Sequence, residues 1–245
     1  MSETPVAVVT GSASGIGAAI VERLASERMT LVINYRRSEG EALALRERIL
    51  PLAPGSLAIQ ADVSKPAEAR RLIDETLARC ARIDVLVNNA GPWLVKSAYD
   101  TSVEEWQYIL ENNLSSAFYC SKFALAAMRA RRAGQIVNIG SANVELARGA
   151  PNLTAYNVAK IGVVVLTRSL ARTEGSFGIR VNCVNPGYVE QPALSDEERQ
   201  RVASAVPLRR VGTAAEVAEA VAFLVSERAA YINGAVLNVH GGLWV

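Results

Sequence analysis

Histidine occurs once in this chain, as His240, and cysteine three times, as Cys80, Cys120 and Cys183. One imidazole cannot build a multi-histidine metal centre, so metal chemistry is not expected, and His240, in a near-terminal strand pattern, reads as structural. The cysteines are far apart, with no C-x-x-C pair and no neighbouring histidine, which argues against a zinc site or a disulfide framework. Buried free thiols in a reducing cytosol fit that spacing. No apolar run reaches the roughly 18–20 residues of a membrane-spanning helix. The start, Met1-Ser-Glu-Thr-Pro5, is polar and acidic, unlike the basic n-region of a secretion signal, so a cytoplasmic location is expected. Excess charge is missing too. The formal net charge of +2 makes no electrostatic case for nucleic acid or an anionic membrane.

What is present is enough for one large α/β domain over residues 1–245, half hydrophobic and one fifth charged, with no repeat, linker or low-complexity tract. Short β-rich runs alternate with helical patterns, which predicts a parallel sheet with helices on both faces. Val6 to Thr10 reads as a buried strand, running into Gly11-Ser-Ala-Ser-Gly15-Ile-Gly17 and then a helical pattern from Ala18 to Arg28. Strand, glycine turn and helix is the context of a phosphate-binding loop. Gly11 would permit the turn, Gly15 a close approach to a pyrophosphate, and Gly17 close packing of the helix on the sheet. The alternative is an ordinary β–α turn with surplus glycine.

The strand Thr30 to Tyr35 ends in Arg36-Arg37, where NAD-binding folds place an acid on the adenosine ribose. Two guanidiniums there suit a 2′-phosphate and predict NADP(H); two solvated loop arginines are the alternative. Ser38 is placed as the cap of a helix to Leu50. A third strand, Leu57 to Ala61, ends at Asp62-Val63, whose carboxylate could hold an adenine amino group. The strand Asp84 to Val87 leads to Asn88-Asn-Ala-Gly91, amides that pin loops or line a cofactor cleft. Two helices between Ser102 and Arg132 are expected to meet near Asn112-Asn113, with a stripe of Leu114, Ala117, Phe118, Ser121, Ala124, Leu125 and Met128 facing the core or a subunit. A strand from Gln135 to Ile139 delivers Ser141 at its carboxyl end.

Tyr156 and Lys160 follow on a helix read from Ala155 to Glu174, deeply packed by the apolar run Ile161 to Leu166. Residues four apart share a helix face. An ammonium beside a phenol lowers its pKa, making Tyr156 a candidate acid/base, and Ser141 could donate to a carbonyl oxygen. A solvated Tyr–Lys pair is the alternative. A sixth strand, Ile179 to Val184, ends in Asn185-Pro-Gly187. Tyr188 to Leu208, broken by Pro192 and Pro207, is read as irregular and mobile over the site. The apolar tail Gly241 to Val245 is expected against a neighbouring subunit.

Together, Thr10-Gly-Ser-Ala-Ser-Gly-Ile-Gly17, Asp62-Val63, Asn88-Asn-Ala-Gly91, Asn113, Ser141, Tyr156-x-x-x-Lys160 and Asn185-Pro-Gly187 resemble the short-chain dehydrogenase/reductase family over nearly the whole chain. The resemblance implies a Rossmann-type doubly wound seven-stranded parallel sheet and a homotetramer. It implies Tyr156 as proton donor, Ser141 steadying the substrate oxygen, Lys160 lowering the Tyr156 pKa and binding the nicotinamide ribose, and Asn113 holding a relay water. Gly11, Ser12, Ser14, Gly15, Ile16, Gly17, Arg36, Arg37, Asp62, Val63, Asn89, Ala90, Gly91, Pro186, Gly187 and Val189, with Tyr156 and Lys160, would bind NADP(H). Within the family, Pro207-Leu-Arg-Arg-Val-Gly212 and Tyr231 to Gly242 look most like 3-oxoacyl-(acyl-carrier-protein) reductases, as does Asn34-Tyr-Arg-Arg-Ser38.

The chain departs from that group in four places. Ser14 replaces an arginine, Pro92-Trp-Leu94 replaces Ile-Thr-Arg-Asp, and Gln191 replaces a cofactor-contacting threonine. The Ser141–Tyr156 spacing of 15 is longer than usual, enlarging the loop Asn143 to Thr154. The activity expected is reduction of a carbonyl to a secondary alcohol, with a 3-oxoacyl thioester first. A pteridine, sugar, steroid or other alcohol is second, and a non-catalytic cofactor-binding protein third. Docking of an acidic acyl carrier protein would need a basic patch near the cleft, from Arg129, Arg131 and Arg132 or from Arg172.

Overall fold

Short runs of apolar, largely β-branched residues make the middle layer of the molecule. The computed structural model describes residues 4–191 and 194–243. Its strands are β1 (Val6–Val9), β2 (Thr30–Tyr35), β3 (Leu57–Gln60), β4 (Val85–Asn88), β5 (Gly134–Ile139), β6 (Ile179–Pro186) and β7 (Val236–Val239). They form one parallel sheet in the order β3-β2-β1-β4-β5-β6-β7. Every residue of β1 is buried, as befits a parallel strand covered on both faces.

Alternate side chains feed the two sides of that sheet. Ala7, Val9, Leu31 and Ile33 pack with α1 (Gly15–Ser26), α2 (Glu39–Ile49) and α8 (Ala214–Val225). Val6, Val8, Val32 and Leu86 pack with α3 (Pro66–Cys80), α5 (Ser116–Arg131) and the end of α6 (Thr154–Glu174). The expected doubly wound architecture is therefore present. Strand order reverses between β1 and β4, which opens a crevice at their carboxyl ends, and the glycine turn lies there.

Several expectations need correction. Helix α1 begins at Gly15, not Ala18, so the last two glycines of the turn already belong to the helix. Ser38 sits at the N-cap of α2, but its side chain makes no capping bond. The stretch expected to be irregular contains α7 (Asp196–Ala205), started by a reciprocal capping box between Ser195 and Glu198. That helix buries none of its residues, so no apolar period announced it, and the Ser-x-x-Glu spacing was the one available signal, not read as a helix start. Pro192, read as a break, lies outside the described residues, as do Trp244 and Val245.

Helix α6 is deeply packed on one side only: Val163 and Val164 are buried, whereas Val165 is 58% exposed. On α5 most of the apolar stripe is buried, but Phe118 is 44% exposed. Leu243 is buried inside its own chain, so for that residue the neighbouring-subunit expectation is replaced by an internal contact. Helix α4 (Val103–Leu110) does run into α5 at the expected place, through a π turn over Glu111–Ser115. Cys120 and Cys183 are buried and Cys80 is half-buried; all three are free thiols.

Candidate active site

The glycine turn is held from three sides. Gly11 has φ +58°, and a Cβ there would come within 2.9 Å of the Ala90 Cα, so glycine is required twice over. Its N–H donates to the Asn34 Oδ1 at 3.1 Å, and the Asn34 amide reaches on to the Ala61 carbonyl. Just past β4, Asn89 Nδ2 donates to the carbonyls of Thr10 (3.0 Å) and Gly11 (2.9 Å). Thr10 Oγ1 accepts from the N–H groups of Asn89 and Ala90. Ser12 turns inward: its hydroxyl donates to the Val9 carbonyl and its N–H to that of Asn34. Ser14 and Gly15 stay exposed, with Ile16 half-buried behind them, and the first N–H groups of α1 open into the crevice.

Asn34 and Thr10 were not singled out in the sequence for these roles. A polar residue inside the apolar run Thr30 to Tyr35 was the available signal for Asn34. Asn88, which could have lined the cleft, is instead structural, donating to Asn138 Oδ1 (2.8 Å) and Ser121 Oγ (3.0 Å) in the buried layer.

At the carboxyl ends of β2 and β3, Arg36 reaches across the crevice to Asn112 Oδ1 and the Tyr108 hydroxyl, both at 3.3 Å, and lies 3.7 Å from Asp62. Arg37 is exposed beside it. Burial works to raise the Asp62 pKa, but bonds from the Ser64 hydroxyl and N–H, with Arg36 nearby, outweigh it and hold the carboxyl below its usual range. Val63 is buried next to it. At the far end, Pro186 closes β6, and Gly187 lies so close to His240 that a Cβ would sit 2.7 Å from that residue's own Cβ. Val189 pairs with Gly212. The two ring nitrogens of His240 are buried without a protein partner among the described residues.

Ser141, Tyr156, Lys160 and Asn113 converge between these two ends. Lys160 is buried, its ammonium donating to the Ile139 carbonyl at 2.8 Å, and burial pushes its pKa down to about 8. The Tyr156 pKa is raised by burial, and a hydrogen bond with the Ser141 hydroxyl only partly offsets this. The net shift of the phenol is thus upward, where Lys160 was expected to lower it. The ammonium is turned toward a carbonyl and lies 5.7 Å from the Tyr156 ring centre, so desolvation wins. Asn113, on the π turn, donates to the carbonyls of Pro92 (2.9 Å) and Ile109 (3.0 Å). Its Oδ1 is buried with no protein partner among the described residues. A Cβ on Gly91 would lie 2.2 Å from that oxygen and 3.5 Å from Lys160 Nζ, so one small space borders both.

The arginines considered for carrier docking lie elsewhere. Arg129 makes a two-pronged bond to the buried Glu174 and stacks 4.5 Å from the Phe177 ring centre. Arg132 donates to the Ser176 carbonyl, and Arg131 pairs with Asp84. With Arg172, near the end of α6, they gather at the amino ends of the strands, opposite Ser141 and Tyr156. Within one subunit they form no patch beside the cleft.

A family model described as enoyl-(acyl carrier protein) reductase matches residues 11–244. The 3-oxoacyl-(acyl-carrier-protein) reductase FabG of Staphylococcus aureus is 38% identical over 248 residues, covering all of both chains. Its namesake from Escherichia coli is 39% identical over 246 residues, covering 99% of this chain and 98% of the relative. Among solved structures, a blue fluorescent protein from a metagenomic library, in complex with NADPH, superposes with a TM-score of 0.91 at 33% identity, over 98% of each chain.

Proposed function

For a chain that belongs to the short-chain dehydrogenase/reductase family, we propose the reduction of a 3-oxoacyl thioester to a 3-hydroxyacyl thioester with NADPH. The observation that carries this is the Ser141–Tyr156 hydroxyl pair, set against buried Lys160 at the carboxyl end of the sheet. The residues present fit the cofactor. A glycine turn and open helix N-terminus suit a pyrophosphate, Arg36 and Arg37 suit a 2′-phosphate, and the Asn113 oxygen, without a partner among the described residues, lies beside Gly91 as the lysine does.

When bound, the nicotinamide supplies hydride to the carbonyl carbon. Ser141 donates a hydrogen bond to the carbonyl oxygen as charge grows on it. Tyr156, kept in its protonated form by burial, passes its proton to that oxygen. Lys160 stabilises the phenolate left behind, and a water bound by Asn113 Oδ1 carries a proton back toward it. The site needs no metal for these steps.

Carbonyl reduction is preferred to the enoyl reduction named by the family model, because the full-length relatives are carbonyl reductases and the two hydroxyls converge where a carbonyl oxygen would lie. The acyl chain would be presented on an acyl carrier protein. Exposed Phe118 on α5 and Val158 and Val165 on α6 support assembly into a homotetramer. No helix among the described residues is long and apolar enough to cross a membrane, in keeping with a cytoplasmic enzyme.

The test follows NADPH absorbance with acetoacetyl and crotonyl thioesters side by side, repeated with NADH. NADPH-dependent turnover of the first alone supports the proposal. Turnover of only the crotonyl ester, or of neither while the nucleotide still binds, overturns the substrate and directs the search to other carbonyls.

A further inference from the structure

We propose that Glu145 is a positioning residue, which ties the loop bearing Ser141 to the strand end that lines the cofactor. This builds on the carbonyl-reductase reading above. Glu145 lies in a 3-10 turn over Val144–Leu146, within the enlarged loop between β5 and α6. Its carboxylate accepts two amide bonds, from Asn185 Nδ2 at 2.8 Å and from Asn238 Nδ2 at 2.6 Å. Asn185 is fully buried and immediately precedes Pro186-Gly187; Asn238 belongs to β7.

The Asn185 amide takes its orientation from its partners. Its Oδ1 is wedged against Gly140, where a Cβ would lie only 1.9 Å away, and accepts from Cys183 Sγ at 3.4 Å. Its Nδ2 therefore points at the loop and needs an acceptor there, because a buried unpaired donor is costly. Glu145 is that acceptor, each of its two carboxyl oxygens taking one amide donor.

Three further features fix the same stretch. Asn143 Nδ2 donates to the Leu243 carbonyl at 2.6 Å. Asn143 and Ala147, at φ 54° and 52°, bracket the turn in the left-handed region. Val144 is buried against Val163, Val164 and Cys183. The loop is thereby divided. Residues 141–145 are locked to the sheet, whereas Leu146, Ala147, Arg148 and Gly149 are exposed. The inner part sets Ser141 relative to Tyr156 and to the Pro186-Gly187 cofactor wall, and the outer part is left to meet the substrate.

The test compares Glu145→Ala with Glu145→Gln in the full chain. Glutamine keeps an oxygen for Asn185, and exposed Asn238 is able to turn its amide to accept from the new NH₂. Glu145→Gln is expected to hold kcat/KM for the acetoacetyl thioester within about threefold of wild type. Glu145→Ala is expected to lower it about tenfold or more, with the NADPH dissociation constant moving less than about twofold. Hydrogen exchange at residues 142–149 should quicken in the alanine variant alone, with β1 and β4 unchanged.

That exchange measurement needs no substrate. If wild type reduces no thioester, the substrate reading fails and the exchange pattern alone decides on Glu145. Wild-type exchange in Glu145→Ala, equal impairment by alanine and glutamine, or unchanged kcat/KM in an enzyme that is active would overturn the proposal. Should Glu145→Ala not fold, Asn238→Ala removes one of the two bonds from an exposed position. It must then show the same pattern at smaller amplitude, and wild-type behaviour there counts against Glu145 equally.

Discussion

The ammonium of Lys160 lies 5.7 Å from the centre of the Tyr156 ring, one helical turn away, and is bonded to the Ile139 carbonyl. In this arrangement neither group titrates at its ordinary value. Burial pushes the phenol up and the ammonium down to about 8, so the two pKa values are driven apart. The phenol is held as an acid, which suits reduction, and the lysine becomes the group that titrates closest to neutrality.

Tyr156→Phe removes the proton donor and little volume. We expect kcat to fall by about 10²–10⁴, the usual worth of a positioned acid. NADPH binding, followed by fluorescence, should stay close to wild type. Retained turnover would remove Tyr156 from its role.

The pH response separates activity from stability. Because kcat/KM reports the free enzyme, its value for reduction should decline as pH rises through about 8, where Lys160 loses its proton. Stability moves the other way. The folded pKa lies below the ordinary 10.5, so between about 8 and 10.5 the unfolded chain holds a proton that the folded chain has released. The burial penalty is complete below pH 8 and fades across that window. The gain in Tm of Lys160→Met over wild type should therefore shrink between pH 7 and pH 10; a constant difference would contradict the assignment.

Gly91→Ala places a methyl group 2.2 Å from the Asn113 oxygen. Asn113 is held on its other side by Pro92 and Ile109, so it has little room to give. We expect overpacking to cost about 1–3 kcal/mol of stability, read as a lower Tm. Reductive kcat should fall with it, since the displaced oxygen borders the lysine. A variant with wild-type kcat would show that this space is not part of the relay.

Replacing Arg36 and Arg37 together with alanine should raise the KM for NADPH about tenfold or more and leave that for NADH nearly unchanged. Arg36 is already tied to Tyr108, Asn112 and Asp62, so Arg37→Ala alone is expected to carry the smaller share. Equal effects on the two nucleotides would sink the 2′-phosphate assignment.

The fold was legible because its strands are short, mostly apolar runs and its turn residues sit where a parallel sheet needs them. The site was legible in its residue types, since Gly11, Asn113, Ser141, Tyr156 and Lys160 each stand in a recognisable frame. What could not be read were relations set by tertiary distance. The balance between burial and the lysine charge at Tyr156 depends on where Nζ points, which no spacing records. Arg129, Arg131 and Arg132 form a basic run on paper, yet each has an internal partner at the far end of the sheet. Glu145 looks like any loop acid until Asn185 and Asn238 are brought to it.

The π turn at Glu111–Ser115 makes length a functional property of the long helix. A π turn holds one residue more than the α-helix it interrupts, and each α-helical residue rotates the chain by about 100°. Deleting a single residue there would restore regular winding and swing the groups before the deletion away from those after it. Asn113 would leave Gly91 and Lys160, or Tyr108 and Asn112 would leave Arg36, although no side chain in either cluster had been altered. Shortened versions of this enzyme should therefore spare that turn, where one residue more or less decides whether the two clusters stay in register.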